Sequence, residues 1–408
     1  MKIILISSLL IPRSIGGIEV LTVLTAKALV KRGHQVTIYT GGPGKTRKEN
    51  GVIIKEIKEL IFPLQLKSFL MPFYSWRLKR RLEKEEGFLK ADIINAVDLD
   101  SILALSGWER VKEKLVVAIQ DYGLVCANGL LLYGNKVCPN YCHQGKGFLC
   151  LRKRKISLLK NLYLQLAYRL RKNQRDKRTK YLHQVICVSH FVADKIQKYN
   201  PDLKIQIIGN CLPEDWWLVK KPKEKDIDIL YVGRMEEFKG TETALIAIKK
   251  VLEKKNLKVF FVGAGKVEEY QEKARSMGLG NKVVFTGGVD FQKMQDFYQK
   301  AKIVLVPSIW PEPCGRVIIE GMFWGGVVIS TNQGGTPELI NHDKNGLLVP
   351  PGNSQELAKA ILSLFNQPLK MKKISQNASF YARKHFKPEL LALKYEKFYQ
   401  LVLDKKIN

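Results

Sequence analysis

The feature that most constrains this chain is a repeated alternation of short apolar runs with longer segments of helical period, interrupted once. Lys2–Ser7 reads as a buried strand, a glycine loop leads to Gly17, Ile18–Arg32 carries apolar residues at helical spacing, and Gln35–Thr40 is strand-like again. Asp92–Val97, Leu115–Ile119 and Gln184–Val188 continue the strand runs between further helical patterns. Parallel strands need crossover helices, and those helices cover both faces of the sheet, so the spacing predicts an α/β fold. Around Asn210–Asp226 the pattern breaks into Pro213, Pro222 and a run of Lys. A second series follows, with strands at Asp228–Val232, Val259–Val262, Val283–Thr286, Ile303–Val306 and Val327–Ser330 and helices at Thr241–Lys254 and Val267–Met277. We therefore expect two doubly wound, Rossmann-like domains, residues 1–215 and 216–387. A last helical pattern, Pro388–Leu403 within 388–408, is positioned to cross back and brace the first domain. Ligands of such sheets sit beyond the carboxyl ends of the strands, so two facing domains would place a reaction in the cleft between them.

At 46% hydrophobic and 26% charged, the 408 residues are too apolar for a disordered chain. The longest uncharged stretch near membrane-span length, Gly321–Pro337, holds five Gly, Asn332 and Gln333, so a transmembrane anchor is not expected. Met1–Pro12 resembles a secretory signal but lacks a small-residue cleavage site, and Gly16-Gly17 then opens a helix; the expectation is a buried strand in a cytoplasmic protein.

Charge is unevenly distributed. The whole chain carries +30, yet residues 1–225 hold 41 basic and 19 acidic side chains, a net of +22, while 226–408 hold 27 and 19, a net of +8. Leu151–Leu182 contains twelve basic residues and one acid, interleaved with Leu and Tyr at helical spacing. Phe62–Lys84 sets Phe69, Phe73, Tyr74 and Trp76 beside Arg77, Lys79, Arg80 and Arg81. Aromatic rings beside cations suit the inner face of an anionic membrane; the plainer alternative is a pair of solvated helix faces over the core. No finger, stacking or helix-turn-helix motif accompanies the charge, so nucleic acid is not the expected partner.

Three short patterns fail on inspection. Gly44-Lys45-Thr46 imitates a P-loop, but Tyr39 stands where that motif needs its first Gly. Gly263 and Gly265 begin a dinucleotide fingerprint that Glu268 ends. Asp98-Leu99-Asp100 resembles the metal-binding pair of a different transferase fold, which the tandem domains argue against.

The strongest pattern is Glu312-Pro313-Cys314-Gly315-Arg316-Val317-Ile318-Ile319-Glu320. One carboxylate would lie in the loop after a strand and the other two turns along a helix beginning near Gly315. Free amides at such a helix start suit a diphosphate, and carboxylates suit ribose or sugar hydroxyls. The bland reading is one surface acid and one capping residue. Ser308-Ile309-Trp310-Pro311 precedes the pair, and Gly334-Gly335-Thr336-Pro337-Glu338 and Asn345-Gly346-Leu347-Leu348-Val349 follow it.

This run closely resembles the nucleotide-sugar region of retaining GT-B glycosyltransferases of the large family 4 group, also called glycosyl transferases group 1. The resemblance extends to Val232-Gly233-Arg234 with Lys239-Gly240, to Gly16-Gly17 with Glu19, and to Val188-Ser189 and Ile208-Gly209-Asn210. It implies a metal-independent transferase whose Arg234 and Lys239 hold the donor diphosphate, Glu320 the ribose and Glu312 the sugar. Gly16, Gly17, Gly233, Cys314, Gly315, Arg316 and Val317 would complete the donor site, and Asp98 and Asp121 are candidates for acceptor contact, the alternative being turn or capping residues. Glu312, Arg234, Lys239 and Asp121 form the expected catalytic set. The resemblance further implies a lipid-linked or glycan acceptor, cell-surface polysaccharide or glycolipid as product, and retention by front-face attack in which the departing phosphate takes the acceptor's proton. Gln120 precedes Asp121 where relatives commonly carry His, and Asn95 and Val97 stand where they often do; Gln cannot accept a proton at neutral pH. Front-face chemistry tolerates that loss.

Cys126, Cys138, Cys142 and Cys150, with His143, form a cluster whose gaps of eleven, three and seven residues are not zinc-knuckle spacing. A structural zinc and free thiols both remain open there, with disulfides disfavoured in a reducing compartment. Two other functions fit the same architecture: a sugar-nucleotide epimerase or phosphorylase, and a non-catalytic glycan- or lipid-binding protein.

Overall fold

The structure is a computed structural model that describes residues 1–10, 16–61, 64–126, 129–134, 136–138, 166, 169–170, 173, 176–198, 200–219 and 224–404, with side chains for all of these except 64–69. The chain divides into two compact units. One comprises Met1–Gly134, Cys138–Pro213 and Pro388–Asn408, the other Glu214–Lys387 together with Asn135–Val137.

The first unit is built on β1 (Lys2–Ser7), β2 (Gln35–Gly41), β3 (Thr46–Glu49), β4 (Val52–Ile57), β5 (Ile93–Ala96), β6 (Leu115–Ile119), β7 (Leu132–Tyr133), β9 (Gln184–Cys187) and β10 (Lys204–Ile207), while the short β8 (Lys136–Val137) falls in the other unit. Its main sheet runs β10-β9-β6-β5-β1-β2-β4-β3, parallel except that β3 opposes β4. Helices α1 (Gly17–Lys31), α2 (Leu64–Glu83), α3 (Leu99–Leu105) and α4 (His190–Gln197) connect these strands. β6, Leu-Val-Val-Ala-Ile, is buried along its whole length, as a central parallel strand covered on both faces must be. Each core side chain such as Ile3, Leu5 or Ile38 contributes about 1.5–3 kcal/mol by leaving water.

The second unit alternates β11 (Ile227–Val232), α5 (Thr241–Leu252), β12 (Val259–Val262), α6 (Val267–Ser276), β13 (Val283–Gly287), α7 (Phe291–Lys300), β14 (Ala301–Val306), α8 (Arg316–Phe323), β15 (Val327–Thr331), α9 (Thr336–Leu339) and β16 (Leu347–Val349), followed by α10 (Ser354–Asn366) and α11 (Pro368–His385). Its parallel sheet has the order β13-β12-β11-β14-β15-β16. The final helix, α12 (Pro388–Asp404), packs Leu391, Ala392, Tyr395, Tyr399 and Val402 into the core of the first unit. Glu396 on its surface pairs with Arg32 and, at 3.4 Å, with His34.

Each sheet reverses its strand order once, between β1 and β5 in the first unit and between β11 and β14 in the second. At such a switch point the loops diverge and leave a crevice at the carboxyl ends. Among the described residues six strands escaped the sequence pattern: β3, β4, β7, β8, β10 and β16, which are short or carry charged residues. Gly44-Lys45-Thr46 leads into β3, a strand where a P-loop would need a helix.

Candidate functional site

In the second unit, the loops after β11 and β14 are tied together across the switch point. The Phe238 carbonyl accepts from the Ile309 and Trp310 amides at 2.9 and 3.0 Å, and the buried Tyr231 hydroxyl donates toward the Arg234 and Lys239 carbonyls, each at 3.3 Å. Gly240, at φ 71°, packs so tightly that a Cβ there would collide with the Pro307 carbonyl oxygen. Thr331 Oγ1 and Gln333 Nε2 donate to the Ser308 carbonyl at 2.8 and 3.1 Å and fix the far side of the same loop.

Within this frame Lys239 Nζ donates to Glu312 Oε1 at 2.7 Å, and Ser308 Oγ donates to the same oxygen at 2.6 Å. Glu312 is buried, with 8% of its surface exposed. Burial by itself raises its carboxyl, but the Lys239 charge and the hydrogen bonds from Lys239 and Ser308 outweigh that and hold it below the ordinary carboxylate value. Lys239 also lies over the Trp310 ring, 4.5 Å from its centroid. Behind the carboxylate, Gly334 adopts φ 66° against the Glu312 backbone, and the Gly335 amide donates to the Glu312 carbonyl at 2.7 Å. The side chain is thus held by its own backbone as well as by its partners.

The second carboxylate belongs to a separate network. Glu320 stands one turn into α8, which begins at Arg316, rather than two turns in. Its oxygens accept from Tyr298 Oη at 2.7 Å and from Arg316 Nη2. Burial, then the Glu320 charge, push the Tyr298 phenol well above its ordinary value, so it remains a donor. Arg316 stacks over Phe291 at 5.1 Å, and its Nε is buried without a partner. Among the described residues no side chain caps the α8 N-terminus at Gly315, and no acid lies in its first turn. Its leading amides therefore retain their pull on an anion.

Of the expected donor residues, Lys239 and Glu312 are in contact, and Gly315, Arg316, Val317 and Glu320 share one helix start. Cys314 is half-buried in the preceding loop. Gly233 follows β11, and the Arg234 side chain is 68% exposed, with Glu236 the nearest acid at 3.7 Å. Ser308, Tyr298 and Trp310 complete these networks. Ser308 and Trp310 lie within a run that the resemblance cites, but no role attached to them; Tyr298 lies on α7 with no spacing signal. Gly263 and Gly265, not part of a dinucleotide motif, belong to the loop that hydrogen-bonds to Gly233–Met235, with Met235 N donating to Ala264 O at 2.7 Å.

The first unit's switch point is arranged differently. Asp98 caps α3, accepting from the Ser101 amide at 2.9 Å, and reaches across to β1's loop, where the Ser8 amide and, at 3.2 Å, the Ser8 hydroxyl donate to it. Gly16 caps α1 and Gly17 is its first residue, but a Cβ on Gly16 would run into the Glu19 carboxylate, so that helix start already faces an anion of its own. Asp98, Gln120, Asp121 and Ile18 line one small depression at the carboxyl ends of β5 and β6. Burial, with a smaller contribution from Asp100, raises the Asp121 carboxyl although the Gly123 amide donates to it at 2.8 Å. Asn95 is committed to the core, where its Nδ2 donates to Tyr399 Oη at 2.8 Å.

Cys126 and Cys138 are both buried, and the Leu131 amide donates to Cys126 Sγ at 3.3 Å. Cys142, Cys150 and His143 lie outside the described residues, as does most of Leu151–Leu182. Among the described residues no three or more metal-ligating side chains are grouped to hold an ion.

Residues 15–216 match the family described as Glycosyltransferase Family 4, and residues 214–380 match Glycosyl transferases group 1. The chain belongs to this family of glycosyltransferases. An uncharacterized glycosyltransferase of Methanocaldococcus jannaschii is 26% identical to the transferase over 383 residues, 88% of this chain and 87% of the relative. Among solved structures, sucrose-phosphate synthase of Thermosynechococcus elongatus aligns with a TM-score of 0.75 at 19% identity, covering 99% of both chains. HepE of Anabaena, in complex with UDP and glucose, aligns at 0.68 and 18% identity over 97% of this chain and 98% of its own. WaaG, a glycosyltransferase involved in lipopolysaccharide biosynthesis, aligns at 0.70 and 17% identity over 98% and 99%. The fold of the transferase is that of the GT-B glycosyltransferases, with two Rossmann-like units.

Proposed function

We propose that this transferase moves a sugar from a nucleotide-sugar to a lipid-linked or glycan acceptor, with retention at the anomeric carbon and without a catalytic metal, in the synthesis of a cell-surface polysaccharide or glycolipid. The observation that carries the proposal is the buried Lys239–Glu312–Ser308 cluster across the β11/β14 switch point. A nucleoside diphosphate leaving group develops negative charge as the C1–O bond breaks. Lys239, Arg234 and the uncapped amides of α8 are oriented donors for that charge, and preorganised donors of this kind each lower a barrier by roughly 3–4 kcal/mol. Glu312 orients Lys239 and supplies acceptor oxygens for sugar hydroxyls, while Glu320, held by Tyr298 and Arg316, supplies one for the ribose. The acceptor oxygen attacks the face the phosphate leaves, the new C1–O bond forms there, and the acceptor proton passes to the departing phosphate oxygen. No protein base is then needed, in keeping with Gln120. The bound UDP and glucose of HepE and the lipopolysaccharide pathway of WaaG support the donor and product classes.

A screen of nucleotide-sugars by thermal shift identifies the donor, and release of its diphosphate with an acceptor panel measures transfer. Product of the donor's own anomeric configuration, formed at an undiminished rate in chelator, is the expected result. Inverted product, or wild-type rates in both Lys239→Ala and Glu312→Ala, would sink the proposal.

A further inference from the structure

α2 presents two stripes of the same helical period. Met71, Tyr74, Ser75, Leu78 and Leu82 face inward and are buried, at spacings of three, four, seven and eleven. Phe73, Trp76, Arg77 and Arg80 repeat at three, four and seven on the outward side, where Phe73 is 48% and Trp76 51% exposed. A solvated face of a soluble helix carries polar groups, yet here two aromatic rings lie against each other, with centroids 5.8 Å apart. Arg80 stacks its guanidinium over Trp76 at 4.9 Å, and among the described residues the ion pair of Arg77 is with Glu59, at 3.9 Å. Trp76 is also the most exposed of the chain's six tryptophans, all of which are described. Pro72 withholds one amide from the helix, and the backbone departs from helical values at Leu70, which is itself 41% exposed at the start of the stripe.

We propose that this outward stripe of α2 docks the protein on an anionic lipid surface. Indole and phenyl rings settle at the depth of the headgroups, while guanidinium groups extend toward phosphate. The net charge of +22 over residues 1–225 gives long-range attraction of the matching sign. This docking is independent of the transferase reading.

The test is flotation of the full chain with phosphatidylglycerol/phosphatidylcholine vesicles and with phosphatidylcholine alone, with Trp76 emission read against brominated lipid. Binding to the anionic vesicles, weakened by salt and accompanied by bromine quenching absent from Trp76→Phe, is expected. Arg77→Gln with Arg80→Gln should lower the partition constant by roughly thirtyfold, about fivefold per cation. Phe73→Ala with Trp76→Ala should lower it by at least about tenfold while thermal unfolding stays unchanged, since both side chains are exposed. Full binding by the aromatic variant, equal binding to neutral vesicles, or a stronger response of Trp76 to single-stranded DNA than to lipid would each overturn the proposal.

Discussion

The two switch points differ in what their polar groups are doing. At β11/β14 two carboxylates, Glu312 and Glu320, are buried and each is paired with a partly exposed cation, and among the described residues a helix start is left without a side-chain cap. At β1/β5 the corresponding groups are spent on the fold: Asp98 caps α3 and clasps Ser8, and Glu19 lies against the start of α1. The same topology therefore yields one crevice set up to bind an anion and another that offers carboxylates and an amide to hydroxyl groups. Backbone order creates the crevice, while the residues in the two loops decide its electrostatic sign.

The largest effect that sharpens this contrast is on Lys239. Lys239→Ala should reduce transfer by roughly a hundredfold or more, because an oriented charge is lost and Glu312 remains buried without a counter-ion. The pH dependence of its stability should also run opposite to that of the wild type. In the wild type Glu312 is held below the ordinary carboxylate value, so its contribution is present above that value and fades as pH falls through the folded one. In the variant the Lys239 charge and hydrogen bond are gone, and burial, the largest influence on the carboxyl, is opposed only by the hydrogen bonds from Ser308 and Trp310; stability should then fall as pH rises through the carboxylate range. Chemical denaturation at several pH values checks this, and parallel curves for the two proteins would break the account.

Gly240→Ala comes next. With φ at 71° and the Pro307 carbonyl in the way, it should cost about 1–3 kcal/mol of stability and displace Lys239, measurable by thermal melting and by transfer rate. Arg316→Gln should loosen Glu320 and raise the donor KM by about tenfold with a smaller change in kcat, which steady-state kinetics over donor concentration would resolve.

On the first unit's side the effects should be smaller and mainly structural. Asp98→Ala should cost about 1 kcal/mol through the lost cap, with activity tracking the folded fraction. A collapse of transfer out of proportion to that loss would make the β1/β5 crevice a reacting site and erase the contrast. Asp121 tests the opposite sign. Burial raises its carboxyl, so the folded state is favoured with the proton on and loses stability as pH rises through the folded value. Asp121→Asn should accordingly melt higher than wild type at neutral pH, with the advantage vanishing in acid; if acceptor KM rises in the same variant, the depression binds acceptor at the expense of stability.

Much of this architecture was legible beforehand because buried parallel strands write themselves as apolar runs. β1, β6, β11 and β14 fall where Lys2–Ser7, Leu115–Ile119, Asp228–Val232 and Ile303–Val306 put them, within a residue or two. β3, with the sequence Thr-Arg-Lys-Glu, was invisible: it is an edge strand exposed to water, and its pairing with β4 rather than its composition makes it a strand. The Glu312 and Glu320 pair stood out by motif, but spacing alone suggested a common cleft shared by two similar acids. In the structure they have separate partners, Lys239 and Ser308 for one, Tyr298 and Arg316 for the other, and two of those four, Lys239 and Tyr298, come from distant segments.

What the sequence by itself determined is the alternation of elements, hence two parallel sheets with a crevice at each switch point, and the chemical types available at the ends of their strands. Which of those groups carry a free charge, which are consumed in capping, and which ring on α2 faces outward were decided only by the tertiary structure. The reason is that pairing, burial and backbone approach depend on distances between loops far apart in the chain, such as the 73 residues separating Lys239 from Glu312, and no local pattern encodes them.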